Sequence, residues 1–203
     1  PGADDRTIEH LWSNQVLPYL WSAQGYAVLH VSAVAVSGVV VAFAGVSGSG
    51  KSTLAMAMLD AGAQLFSDDG LRVQRRAQGC WAWPGSRAVR LWQDSVIAMA
   101  RSDLTAVTGV NYSNKAHFEL HETRAVAAEP APLKAVYLLD GCDDPQTSIA
   151  FEPVAASEAF RAFAKHSFVL DPDHTACAAT HFETLADLSG SGMVKRLGYP
   201  KIF

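Results

Sequence analysis

Six apolar residues, Val39-Val-Val-Ala-Phe-Ala44, run without a break into Gly45-Val-Ser-Gly-Ser-Gly-Lys-Ser52. This junction limits the chain to folds in which a buried strand hands over to a helix through a glycine-rich turn. An unbroken apolar run reads as a strand covered on both faces. Glycines at 45, 48 and 50 let the backbone curl until successive N–H groups converge. The Ser52 to Ala61 segment continues as an amphipathic helix opening at Lys51. Every fixed position of the pattern G-x-x-x-x-G-K-[ST] is met, and its physics is that of an anion cradle. Converging N–H groups and the positive helix end attract phosphate, Lys51 adds a fixed charge, and the Ser52 hydroxyl suits Mg²⁺. Binding of a nucleoside triphosphate follows as the first expectation, with ATP and Mg²⁺ as cofactors. The contacts are expected from Gly45, Ser47, Gly48, Ser49, Gly50, Lys51, Ser52 and Thr53.

The surrounding text fits one α/β domain over residues 1–203, with an N-terminal helical segment over 1–25 and a nucleotide-binding core over 26–73. Leu11 to Ala23 has helical spacing despite Pro18, and Gly25 breaks it. Tyr26 to Val36 predicts one strand, Ser37-Gly38 a tight turn, and Gly62 the end of the first long helix. Gln64-Leu-Phe-Ser67 predicts a short strand that delivers Asp68-Asp69 to the carboxyl edge of the sheet, where open α/β sheets bind ligands. Trp81, Trp83, Pro84 and Gly85 suggest turns, and Leu91 to Ala100 a short helix. Glu129-Pro-Ala-Pro132 reads as a stiff connector. Ala135 to Asp140 predicts a strand ending in an acid, and Ser157 to His166 and Ala176 to Leu188 predict helices.

A formal charge of −4 with no lysine or arginine run gives no field for nucleic acid. The apolar stretch from Tyr26 to Gly45 is interrupted by His30, Ser32, Ser37 and Gly38, so it predicts two adjacent strands and no membrane span. Cys80, Cys142 and Cys177 are odd in number and lack C-x-x-C pairing, which argues against a disulfide framework or a zinc site. Free thiols and nucleotide use suit a reducing, cytoplasmic setting.

A phosphate cradle identifies the ligand and leaves the chemistry open. Leu188-Ser-Gly-Ser-Gly192 follows every acid-tipped strand and reads as a loop, not as a transporter signature. Asn114-Lys-Ala-His117 lacks the aspartate of a guanine-reading N-K-x-D. Two acidic positions compete for metal and catalytic work: Asp140 at the end of its strand, and Asp68-Asp69, with Asp68 sixteen residues beyond Ser52. Adjacent carboxylates at a strand end point apart, so one can face Mg²⁺ while the other faces an attacking hydroxyl. A solvated Ser-Asp-Asp-Gly turn is the simpler alternative.

The array His30-(x14)-Gly45-x-Ser-Gly-x-Gly-Lys-Ser52-(x15)-Asp68-Asp69 resembles the HPr serine kinase/phosphorylase family and its smaller relatives, strongly over Val28 to Val73 and weakly elsewhere. Trp83-Pro-Gly85 and Leu197-Gly-Tyr-Pro200 look like loops of the shorter members. The resemblance implies a P-loop (Walker A) domain of HPr-kinase-like type, a mixed sheet with flanking helices. It implies an ATP- and Mg²⁺-dependent kinase acting on a serine hydroxyl of a protein or peptide, either an HPr-like protein or a ribosomal precursor such as a lasso peptide. By the same resemblance Asp68 is the catalytic base, His30 its electrostatic and proton-handling partner, Lys51 a catalytic phosphate contact, and Ser52 and Asp69 the metal side, Asp69 directly or through water; the sequence leaves the separate roles of the two aspartates open. Self-association is implied because the larger relatives are hexameric. The downstream Glu-Arg-Gly signature and separate N-terminal domain of the family's full-length members are not found, which argues against reverse phosphorolysis. Arg72, Arg75, Arg76 and Arg87 are candidates for a transition-state cation or for docking an acidic acceptor, surface solvation being the simpler reading. The competing functions are a small-molecule kinase and a non-catalytic ATP-sensing module.

Overall fold

The computed structural model describes residues 8, 11–85, 88–92, 105–107, 115–119, 129–142, 144, 146, 148–171 and 173–200, with backbone alone for 88–92, 105–107 and 115–119. Trp12–Val16 is a π-helical segment leading into helix α1, Leu17–Ala23. Pro18 stands in the first turn of α1, where no intrahelical N–H is needed. The segment expected as one strand from Tyr26 is instead two: β1 (Ala27–Leu29) and β2 (Val31–Val36), interrupted at His30. The two halves take different neighbours, β1 pairing with β5 and β2 with β3 and β4. That divergence breaks the strand.

Ser37 and Gly38, with φ of 49° and 79°, turn β2 back into β3 (Val39–Ala44). Both positive values suit a two-residue hairpin whose twist matches its strands. Helix α2 (Lys51–Asp60) follows the glycine-rich loop and ends at Gly62, whose φ is +96°. Then come β4 (Gln64–Ser67), β5 (Leu71–Arg76) and β6 (Gly79–Trp83). Trp81 and Trp83, expected in turns, lie within β6 and pair with Gln74 and Arg72 of β5. Three further strands, β7 (Ala88–Trp92), β8 (Thr105–Val107) and β9 (Lys115–Glu119), form a separate antiparallel sheet. Leu91 and Trp92 are therefore strand rather than the start of a helix, and 93–100 lie outside the described residues, as do Arg87 and Asn114.

The long strand β10 (Ala131–Cys142) is followed by β11 (Ala150–Pro153), helices α3 (Ala156–Lys165) and α4 (Thr175–Gly190), and β12 (Val194–Pro200). The connector expected at 129–132 already enters β10 at Ala131, where it pairs with β6. The Leu188-Ser-Gly segment, expected as loop, is the last turn of α4. Strand order is β1-β5-β6-β10-β3-β2-β4, with β12 and β11 added beside β10. β3 is parallel to β10 and antiparallel to β2, so the sheet is mixed.

Alternation along β2 and β3 divides the core. Val31, Ala33, Val40, Ala42 and Ala44 meet Ala159, Phe163, Leu185 and Leu188 of α3 and α4 on one face. Val34 and Phe43 meet Ala55, Met56 and Leu59 of α2 on the other. Each fully buried Phe, Leu or Val contributes about 1.5 to 3 kcal/mol on removal from water, which clamps β3 between two helical layers and holds its carboxyl end in place. No described helix is long and apolar enough to cross a membrane, and the three cysteines are free.

Candidate active site

The loop after β3 takes the shape its glycines permit. Gly48 and Gly50 hold φ of 81° and 83°, the Ser49 N–H donates to the Val46 carbonyl at 3.1 Å, and α2 opens at Lys51. Lys51 is buried, its Nζ donating to the carbonyls of Gly45 at 3.0 Å and Val46 at 3.1 Å. Among the described residues Ser49 Oγ is buried without a hydrogen-bond partner. From the far end of the chain, the Tyr199 hydroxyl donates to the Ser49 carbonyl. Burial raises the Tyr199 phenol above its ordinary value, and Asp140 adds to the effect.

Asp68 and Asp69 follow β4, and both carboxylates are buried, which demands polar partners. Their partners differ. Asp68 Oδ1 accepts from the Ser32 hydroxyl and, at 3.0 Å, from the Ser52 hydroxyl; the two serine oxygens are 3.4 Å apart. Antiparallel pairing of Ala33 with Ser67 sets Ser32 and Asp68 side by side. Asp69 takes φ of 69°, a left-handed conformation that aspartate tolerates better than most residues. Its Oδ1 lies 3.2 Å from His30 Nε2. His30 therefore pairs with Asp69, whereas the resemblance had implied Asp68.

The turn between the carboxylates and β5 is held from three sides. Ser67 Oγ donates to the Gly70 carbonyl at 2.7 Å, the Gly85 N–H donates to the Phe66 carbonyl at 3.0 Å, and Pro18 of α1 lies against Gly70. A Cβ at Gly85 would stand 2.2 Å from Ser67 Oγ and 3.0 Å from the Gly70 carbonyl oxygen, so a side chain there displaces the turn.

His30 is fixed by the segment after α3. Its backbone N–H donates to the His166 carbonyl at 2.6 Å, the Phe168 N–H donates to the Val28 carbonyl at 2.9 Å, and the Phe168 ring stacks on the imidazole with centroids 5.7 Å apart. Phe168 in turn packs edge-on against Tyr19 of α1. The His166 imidazole is pushed below its ordinary pKa by burial first, then by the Lys51 charge and by His30, so it stays neutral near neutral pH.

Asp140, the rival acid, lies near the end of β10 beside the loop, where Leu138 pairs with Ala44 and Leu139 lies against Gly45, but its side chain turns to a different partner. Its carboxylate is 62% exposed and pairs with Arg196 at 3.1 Å, and Arg196 also reaches Glu158. Two surface concavities of about 390 and 490 Å³ border the β5–β6 hairpin and α4, and none of the loop or carboxylate residues lines them. Among the described residues no three His, Cys, Asp or Glu side chains converge as a metal cluster. Sequence reasoning overlooked Ser32, His166, Phe168, Gly85 and Tyr199 as parts of the site. Ser32 carried a signal as a lone hydroxyl in a strand otherwise apolar, and Gly85 and Tyr199 stood in the two loops that resemble shorter family members; His166 and Phe168 carried none.

The fold and the site define a mixed α/β protein with flanking helices, a glycine-rich strand-loop-helix and two buried carboxylates beside it. No protein-family model matches the chain, and no curated protein matches it significantly. Among solved structures it is similar to the HPr(Ser) kinase/phosphatase from Coxiella burnetii, with a TM-score of 0.41, 12% identity and 86% of each chain covered. At that distance the likeness is a coarse one, and the residues themselves carry the functional reading.

Proposed function

We propose that this chain is a kinase that transfers the γ-phosphoryl group of ATP to a serine hydroxyl on a protein or peptide. The supporting observation is the division of labour between neighbouring carboxylates: Asp68 on the Ser52 hydroxyl, Asp69 on His30. A hydroxyl and one carboxylate suit Mg²⁺, a hard cation that completes its shell with water and phosphate oxygens and needs no all-protein cage. The buried Ser49 Oγ, without a partner among the described residues, fits an oxygen-rich ligand at the loop. Ser52 and Asp68 would hold Mg²⁺, which would supply charge neutralisation at the transferring group.

The remaining chemistry belongs to the chain. Lys51 is poised at the mouth of the loop, and its ammonium exchanges carbonyl partners for phosphate oxygens. Asp69 takes the role of base, accepting the serine proton as the hydroxyl oxygen bonds to the γ-phosphorus and the bond from that phosphorus to the β-phosphate oxygen breaks, releasing ADP. His30 holds the Asp69 carboxylate in orientation and shares the proton's charge. Asp68 fixes the Ser52 hydroxyl toward the metal. This exchanges the aspartate roles that the resemblance implied, on the ground that the proton-handling imidazole stands at Asp69.

The test is incubation with Mg-ATP and serine-bearing acceptors, both HPr and precursor peptides, followed by intact-mass measurement. A gain of one phosphate that is lost in Asp69→Asn supports the reading. ATP binding without mass gain on any polypeptide favours a metabolite kinase or an ATP sensor, and absence of ATP binding overturns it.

A further inference from the structure

The face of the β5–β6 hairpin that begins beside the carboxylates carries alternating cations and rings. Arg72 pairs across the hairpin with Trp83, and Gln74 with Trp81. The Arg72 guanidinium carbon lies 5.2 Å from the Trp21 ring centroid, 4.8 Å from Tyr26 and 5.0 Å from Trp83. Arg76 stands 4.6 Å from Trp81 and 4.8 Å from Trp83. Arg75, on the opposite side of the strand, is instead spent on an ion pair with Asp187 at 2.9 Å. Among the described residues no carboxylate pairs with Arg72 or Arg76, and Arg72 Nε is buried without a hydrogen-bond partner. Burial lowers the Arg72 pKa below its ordinary value, only partly offset by Tyr26.

Stacking occupies the faces of a guanidinium and leaves its donors, which lie in the plane, for a carboxylate. It also fixes the side chain in advance, so less rotamer entropy is lost when an anion arrives. Arg72, partly buried and with no carboxylate beside it among the described residues, gains most from such a partner, while Arg76 is exposed to meet one. Resting on the kinase reading above, we propose that this Arg72–Arg76 ladder docks an acidic stretch of the polypeptide acceptor. Position sets the spacing. Arg72 is three residues beyond Asp69 and opposite Val28, two residues before His30. The turn at Asp69-Gly70 keeps Arg72 within about 10 Å of the base, and Arg76 stands about 13 Å further along extended β5. The acceptor's carboxylates then fall about three and about seven residues from the phosphorylated serine.

The probes are synthetic serine peptides with glutamate at those two spacings, placed on either side of the serine, and their glutamine isosteres. Binding is read by tryptophan emission, since Trp21, Trp81 and Trp83 stand in the ladder. The full chain is expected to bind a glutamate peptide more tightly than its isostere. Arg72→Gln and Arg76→Gln should each weaken that binding by about 3- to 10-fold, which is about 0.7 to 1.4 kcal/mol. Arg76→Lys should not restore it, because an ammonium lacks the planar fork. ATP-analogue binding reports on folding of each variant. Equal binding of glutamate and glutamine peptides, or binding indifferent to both arginines, overturns the ladder while leaving the kinase reading to the Asp69 assay. Arginine-dependent peptide binding in a chain that transfers no phosphate supports the ladder and removes the kinase reading alone.

Discussion

Asp69 holds its carboxylate 3.2 Å from His30 Nε2 while its own backbone adopts φ of 69°. Beside it, Asp68 accepts hydrogen bonds from Ser32 and Ser52. Removing the charge of either should then have different consequences. Asp69→Asn should lower turnover by about 10² to 10⁴, the range for loss of a general base, with nucleotide affinity nearly intact. Asp68→Asn should weaken Mg²⁺-dependent nucleotide binding itself. Calorimetric titration beside single-turnover kinetics separates the two, and the reverse pattern would return the base to Asp68.

Tyr199 ties the last strand to the loop through the Ser49 carbonyl. Tyr199→Phe removes one hydrogen bond, and a loss of about 1 kcal/mol corresponds to about fivefold weaker nucleotide binding. An affinity unchanged by the substitution would mean that the loop keeps its shape without this anchor.

Asp140 is solvent-exposed and paired with Arg196, so little rests on it. Asp140→Asn should change stability by no more than about 0.5 kcal/mol and leave turnover near that of the parent. A collapse of activity would restore Asp140 as a metal-side acid.

Gly85 has no room for a methyl group between Ser67 Oγ and the Gly70 carbonyl. Gly85→Ala should cost about 1 to 3 kcal/mol, as overpacking does, and shift the Asp68-Asp69 turn. Thermal unfolding measures the first effect and phosphoryl transfer the second.

His181 on α4 is lowered from its ordinary pKa by burial, with a hydrogen bond to the Tyr26 backbone opposing. The unfolded imidazole, titrating near about 6.5, then binds more protons than the folded one just below that pH. Its contribution to stability is full above about pH 6.5 and is lost as pH falls toward the lowered folded value. The Tm of His181→Gln should therefore vary less with pH between about 5 and 7 than that of the parent; parallel curves would refute the assignment.

The features legible in the sequence are those whose causes lie within a few residues. The Ser37-Gly38 hairpin, the glycine-rich loop, the end of α2 at Gly62 and helices α3 and α4 all follow from local φ preferences and periodicity. Misreadings arose where a distant partner overruled local pattern. Trp81 and Trp83 sit in a strand because Arg72 and Gln74 pair with them, though Pro84 and Gly85 suggested a turn. β1 and β2 separate at His30 because they serve different neighbours.

The sequence by itself determined that a buried strand must pass through a glycine curl into a helix headed by Lys51 and Ser52, because backbone freedom and apolar patterning at those positions admit little else. Only the tertiary structure decided which aspartate meets which partner. Ser32 reaches Asp68 across 36 residues and Tyr199 reaches Ser49 across 150. Those meetings depend on strand register and on how the segment after α3 lies along β1, and both are set by packing the whole core rather than by any neighbouring residue.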